Sequence, residues 1–278
     1  LRQKKHVLSQ ELETIVSKTS SISDISSQVF DALRLDYDPV HVDGKEKVLN
    51  SATLTEFLKN KDPKVRKEAY HNFFKEYKKF ENVYAATLSG VMKKDAFYAD
   101  VKNFEGPLEA SLFDDNVPTS LFFKILEKAN VQYRPLFHRY NALKKKILNL
   151  DTMYNYDLNI PLVQYQTKKY TIDECFDIIL DVVQIFGEDY VNIIKKAREE
   201  RWIDYYPHAG KRIGAYSSGC YDTNPYILMN FIGDYNSLST MIHELGHSAH
   251  SYLSCHHQSP VNCDYRIFVA EVASTVNE

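Results

Sequence analysis

A mainly α-helical fold with a small β-hairpin late in the chain is what the sequence predicts. Glycine and proline are scarce, at 9 each in 278 residues, a composition that favours helix and argues against disorder. Apolar residues recur at intervals of three and four through most of the chain, which is helix spacing. That periodicity lapses late, over 212–231, where small and β-favouring residues cluster.

Taken in order, Leu8, Leu12 and Ile15, then Ile22, Ile25, Val29, Phe30 and Leu33, mark two helices between residue 1 and about 35, separated at Ser20-Ser21. Val40-His41-Val42, Asp43-Gly44 and Val48-Leu49 predict a peripheral hairpin around an Asp-Gly turn. Asp62-Pro63 supplies an N-cap acid and a first-turn proline, and no proline or glycine follows until Gly90, so one helix is expected to about Phe104. A second long helix starts at Pro118-Thr119, with Leu121, Ile125, Leu136, Leu143, Ile147 and Leu148 turned inward, Pro135 as a kink and Lys144-Lys145-Lys146 on a solvated face. Residues 157–162 read as extended. Thr171-Ile172-Asp173-Glu174 then opens a helix through Phe186, and another covers 190–202. Residues 212–221 and 226–231, joined by Asp222-Thr223-Asn224-Pro225, form the hairpin, and a helix carrying 238–253 follows it.

Composition narrows the function. Lys plus Arg total 34 against 37 for Asp plus Glu, a net charge of −3, so no long-range field draws nucleic acid or an anionic membrane. No apolar run reaches membrane-spanning length. Neither nucleic acid nor membrane is therefore an expected partner. The chain starts at Leu1 and Arg2-Gln3-Lys4-Lys5 with no apolar stretch behind, which reads as a fragment or processed chain without a signal peptide. Cys175, Cys220, Cys255 and Cys263 match no disulfide framework, and the cytoplasm, a reducing compartment, is the expected location.

The sharpest signal is His243-Glu244-Leu245-Gly246-His247, an H-E-x-x-H within a helical run. Residues four apart lie one above the other on a helix, so both imidazoles can converge on one Zn²⁺ while Glu244 stands beside the metal's open position. There Glu244 can take a proton from a water that the metal has acidified. A third ligand is required. His250 stands seven residues from His243, roughly 10 Å along the axis, so it is expected in a supporting layer or in packing. The longer H-E-x-x-H-x-x-G-x-x-H pattern is excluded because His250 and Leu253 occupy its glycine and histidine positions. Carboxylates remain, Asp264 and Glu271 being the first after the helix. Glu271 opens a helix-compatible segment and is the expected third ligand, with Glu278 on the same face as a support to a histidine. Cys255-His256-His257 with Cys263 matches no zinc-finger spacing and reads as free thiols in a loop. Seven tyrosines (Tyr205, Tyr206, Tyr216, Tyr221, Tyr226, Tyr235 and Tyr252) lie near this region in sequence, and none can be assigned a role.

Gly210-Lys211-Arg212-Ile213-Gly214-Ala215-Tyr216-Ser217-Ser218-Gly219, Met229-Asn230-Phe231, the run from His243 to His250, and Glu271-Val272-Ala273-Ser274-Thr275-Val276-Asn277-Glu278 resemble, in order and spacing, the oligoendopeptidase F branch of the thimet oligopeptidase-like metallopeptidases. The resemblance implies a helical zincin-type fold around a deep groove, with the hairpin next to the zinc helix. It implies a zinc-dependent endopeptidase for short peptides, with His243, His247 and Glu271 as ligands and Glu244 as acid/base. The hairpin edge would pair with substrate backbone through Ala215, Tyr216 and Gly219. On this division residues 1–156 belong to an N-terminal lobe and 157–278 to the catalytic region, cut short at its C-terminal end. Family members continue past this point with tyrosine and histidine residues that stabilise the oxyanion, so the chain alone is expected to hydrolyse poorly. Two alternatives stay open: a zinc metallocarboxypeptidase, and a non-catalytic helical peptide-binding scaffold.

Overall fold

The computed structural model describes residues 2–163, 168–208 and 210–278. The protein divides into two compact units, residues 1–162 and 163–278, and is mainly α-helical.

In the first unit α1 (Gln10–Ser23) is capped by Ser9, whose side chain accepts from the Leu12 amide, and α2 (Ile25–Ala32) follows directly. The break falls at Asp24 and not at Ser20-Ser21. The Ser21 hydroxyl donates to the Lys18 carbonyl within α1 itself, so it does not end the helix. Strands β1 (Val40–Val42) and β2 (Lys45–Lys47) form the expected antiparallel hairpin, closed by Asp43 (φ 51°) and Gly44 (φ 74°). This two-residue turn resumes the strand at Lys45, ahead of Val48-Leu49. The hairpin is not peripheral. Val40 is fully buried in a core with Leu49, Phe57, Val65, Ala69 and Phe73.

Helix α3 (Leu54–Leu58) leads into α4 (Pro63–Lys79), started by Asp62, which accepts from the Lys64 amide at 2.8 Å. The long helix expected to Phe104 is broken at Phe80, where α5 (Glu81–Val101) begins. Neither glycine nor proline marks this break, and the aromatic packing that spans it, Tyr77 stacked on Tyr84 at 5.6 Å, is tertiary. After α6 (Pro107–Phe113) come α7 (Thr119–Lys128), a π-turn over Ala129–Tyr133, and α8 (Arg134–Ile147). Pro135 therefore sits in the first turn of a new helix, where its missing N–H leaves no bond unmade, and the wide turn replaces a kink. Two further expectations fail here. Leu121, Ile125, Leu136, Leu143 and Ile147 are exposed, because amphipathic spacing marks an apolar side without supplying a surface to cover it. Lys144 is 5% exposed and donates to the Leu158 carbonyl at 2.6 Å, and burial lowers its pKa. Of residues 157–162, expected to be extended, Asp157 ends a 3₁₀ turn (Asn155–Asp157) and Leu158 is still in the helical region.

In the second unit Thr171 and Glu174 make the expected capping box of α9 (Ile172–Val182). A 3₁₀ turn (Val183–Phe186) and Gly187, at φ 93°, lead to α10 (Glu188–Glu199). Three short strands follow, β3 (Ile203–Asp204), β4 (Tyr216–Ser218) and β5 (Tyr226–Leu228), in the order β3-β5-β4. The expected hairpin is β4-β5, but each strand is only three residues long. Strand β3 adds to it in parallel, and two residues are too few to leave a periodicity. Asp234 caps α11 (Tyr235–His257), accepting from the Ser237 amide at 2.9 Å, and α12 (Ile267–Asn277) closes the unit. Leu238, Met241, Ile242, Leu245 and Ala249 form the inward stripe of α11, packed with Phe176, Ile179, Ile194, Trp202, Ile227 and Met229. Among the described residues no helix is long and apolar enough to cross a membrane.

Candidate metal centre

The core stripe of α11 fixes the rotation of that helix, and the next positions round from it carry His243 and His247. Their Nε2 atoms lie 3.2 Å apart. Glu271, at the middle of α12, brings Oε2 to 3.5 Å from His243 Nε2 and 3.6 Å from His247 Nε2. Ligands bound tetrahedrally at roughly 2.0–2.2 Å sit about 3.3–3.6 Å from one another. The three atoms therefore trace one face of such a polyhedron, and among the described residues this is the one such group of three.

Each imidazole is also oriented from behind. His243 Nδ1 is 3.1 Å from Glu278 Oε1, its hydrogen-bond acceptor, and the Ala270 carbonyl accepts from the His247 ring. Occupying one ring nitrogen in this way settles the tautomer that leaves the other free to bind a metal. Burial lowers the His247 pKa, the His243 charge adding to this and Glu271 opposing it, so the ring is held neutral, as a ligand must be.

Glu244 lies against the same centre, 6% exposed. The Ser217 amide of β4 donates to its carboxylate, while its Oε2 is buried with no hydrogen-bond partner. Burial raises its pKa and the Glu271 charge adds to this, against the opposing pull of His243 and the Ser217 amide. Ser217 Oγ is in turn 2.8 Å from Ser248 Oγ on α11, tying strand to helix. The Ile227 amide, opposite Ser217, donates to Trp202 on the other side, so β4 is an edge strand that turns the Ser217 amide away from β5. Strand alternation gives Ala215 the same open edge and places the Tyr216 backbone in the ladder opposite Leu228, with its ring exposed. Gly219 lies past the strand end against Pro225. His250 is stacked on Tyr265 at 3.8 Å, and its buried Nδ1 has no partner. It touches the aromatic loop ring and is not brought into the ligand triangle. The contributions of Ser217, Ser248 and Ala270 were not anticipated. Two of them act through the backbone, which leaves no signature in a sequence.

Gly246 makes the approach of the two helices possible. A Cβ there would stand 2.8 Å from the Ala273 carbonyl oxygen and 2.9 Å from Ser274 Cα, both backbone atoms that cannot rotate aside. Gly246→Ala is expected to push α12 off α11, with about 1–3 kcal/mol lost to overpacking and a matching fall in metal affinity. Thermal melts and a zinc titration on the same preparation check both, and an unchanged affinity would show that the spacing is not set here.

Residues 56–278 match Peptidase family M3. The chain is 42% identical over its whole length to Oligopeptidase PepF of Bacillus subtilis (strain 168), covering 42% of that protein. It is 36% identical over 99% of its length to Group B oligopeptidase PepB of Streptococcus agalactiae serotype III, covering 46%. It thus spans less than half the length of these curated relatives. The crystal structure of oligoendopeptidase-F from Enterococcus faecium superposes with a TM-score of 0.62 at 26% identity, over 99% of this chain and 42% of that one. By sequence, the chain belongs to peptidase family M3.

Proposed function

We propose that this chain carries the catalytic centre of a zinc-dependent oligoendopeptidase that cleaves internal bonds of short peptides. His243, His247 and Glu271 hold the zinc. One observation carries the reading: three ligand atoms from two helices converge at 3.2, 3.5 and 3.6 Å beside a buried, half-partnered glutamate. When bound, zinc supplies Lewis acidity, which acidifies water and polarises a carbonyl. Glu244 is held through the Ser217 amide so that Oε2 is the atom that accepts a proton from the attacking water and returns it to the leaving amine. Its raised pKa suits both halves of that exchange. The open edge of β4, at Ala215 and towards Gly219, takes the substrate backbone by strand addition, with the Tyr216 ring beside it. The four cysteines, which fit no disulfide framework, support a cytoplasmic location.

Elemental analysis of the purified chain, followed by digestion of an end-blocked fluorogenic oligopeptide with and without chelator, tests this. Zinc near one per chain, cleavage at an internal bond abolished by chelator, and loss of zinc in Glu271→Ala are expected. An intact end-blocked peptide, with trimming of the unblocked peptide from its free C-terminus, would favour a carboxypeptidase, and unchanged zinc in Glu271→Ala would remove that residue from the ligand set.

A further inference from the structure

We infer that Asn277 is a positioning residue that, locked by Tyr190, sets how α12 lies on α11 and so where Glu271 presents its carboxylate. This rests on the proposed metal centre. Asn277 is 3% exposed at the end of α12. Tyr190, on α10, donates its hydroxyl to Asn277 Oδ1 at 2.8 Å. Asn277 Nδ2 donates to the Ile242 carbonyl at 3.2 Å, one residue before His243. That carbonyl already takes the helical bond of its own turn and uses its second lone pair for the amide. The same Nδ2 lies 2.8 Å from where a Cβ on residue 246 would stand, so the amide fills the notch that Gly246 leaves.

The side chain therefore bridges three helices with its two ends. Its acceptor is taken by α10 and its donor by α11, so the amide cannot flip without losing both bonds. Burial raises the Tyr190 pKa and keeps the hydroxyl in its donating form. Glu271 is six residues earlier on the same helix, about 9 Å along its axis, and a shift or tilt of α12 about the Asn277 anchor is transmitted to Glu271 through a rigid rod. Glu278, the next residue, reaches His243, so loosening the anchor disturbs both the third ligand and the acceptor that orients the first.

Asn277→Asp keeps the acceptor for Tyr190 and replaces the donor by an oxygen facing the Ile242 carbonyl. Tyr190→Phe is the milder variant, removing one hydroxyl. Zinc affinity by chelator competition, and the visible spectrum of the Co²⁺-loaded chain, are measured on both, with Ile179→Val as a core variant of comparable stability loss in the same unit. Zinc affinity is expected to fall about tenfold or more in Asn277→Asp, at the lower end of the 10–100-fold typical of residues that orient ligands. A smaller fall is expected in Tyr190→Phe, with a double variant no worse than Asn277→Asp alone. The cobalt bands are expected to shift in both and to stay unchanged in Ile179→Val. Zinc affinity and cobalt bands unmoved in both variants, or an equal loss in Ile179→Val, overturn the inference. A wild-type chain that binds no metal overturns the metal centre itself, and the two failures are thereby distinguished.

Discussion

Replacing Arg66 by alanine is expected to destabilise the first unit by about 3–5 kcal/mol, the cost of leaving a buried charge without its partner. Arg66 and Asp157 are each 2% exposed. The guanidinium Nε and Nη2 reach Asp157 Oδ1 at 2.9 and 2.8 Å, and Nη1 donates to the Asn60 and Lys61 carbonyls at 2.8 Å. Asp157 Oδ2 accepts from the Tyr154 amide at 2.9 Å. Alanine at 66 thus removes donors from two part-buried carbonyls and from the buried Asp157 carboxylate. Against a total folding stability of about 5–15 kcal/mol for a typical domain, the loss is large. The double change Arg66→Met with Asp157→Leu removes both charges and restores volume, so it should recover most of the loss. Denaturant melts of the two singles and the double would show this. A double variant as unstable as Arg66→Ala would mean that the carbonyl bonds to Asn60 and Lys61, and not the ion pair, hold the segment.

That ion pair also marks where sequence reading stops. Its members are 91 residues apart, and neither stands in a pattern that names the other. The same limit explains Lys144. Nothing in Lys144-Lys145-Lys146 distinguishes a lysine of a solvated run from one buried near the Leu158 carbonyl. Local physics was legible: the Asp62-Pro63 start, the Thr171/Glu174 box and the Asp43-Gly44 turn each follow from interactions within four residues. So was the proximity of His243 to His247, which helix geometry alone supplies. The nearness of Glu271 took the further step of expecting a second helix to pack on the first, and Gly246 and Asn277, which permit that packing, were read only as motif letters. The break at Phe80 left no punctuation in the sequence, whereas the one before Arg134 was marked by Pro135, read as a kink where the structure starts a new helix.

Glu244→Gln is expected to lower peptide hydrolysis by about 10²–10⁴-fold, the usual contribution of a general acid–base group, while zinc stays bound. Glutamine is nearly isosteric and can still offer an oxygen to the Ser217 amide, so the proposed ligand triangle keeps its geometry and only the proposed proton-accepting atom is lost. The same substitution should make the metal-free chain more stable at neutral pH. Burial raises the folded-state pKa of Glu244 above its unfolded value, so the native state binds this proton more tightly than the unfolded state does. As pH rises from the ordinary glutamate value, about 4.3, through the raised one, the unfolded chain ionises freely while the native chain must either keep the proton or bear a charge that burial penalises, and stability falls. Glutamine has no proton to lose. Its advantage is therefore full above the raised pKa and absent below the ordinary one. Relieving about 1 kcal/mol of such a penalty moves the melting temperature up by roughly 2–4 °C in a protein of this size class. Melts of wild-type and Glu244→Gln in chelator, at pH 7.5 and near pH 4, should diverge at the first and converge at the second. Loss of zinc together with activity, or a glutamine variant less stable at pH 7.5, would make Glu244 a structural residue of the helix pair and return the search for a base to its neighbours.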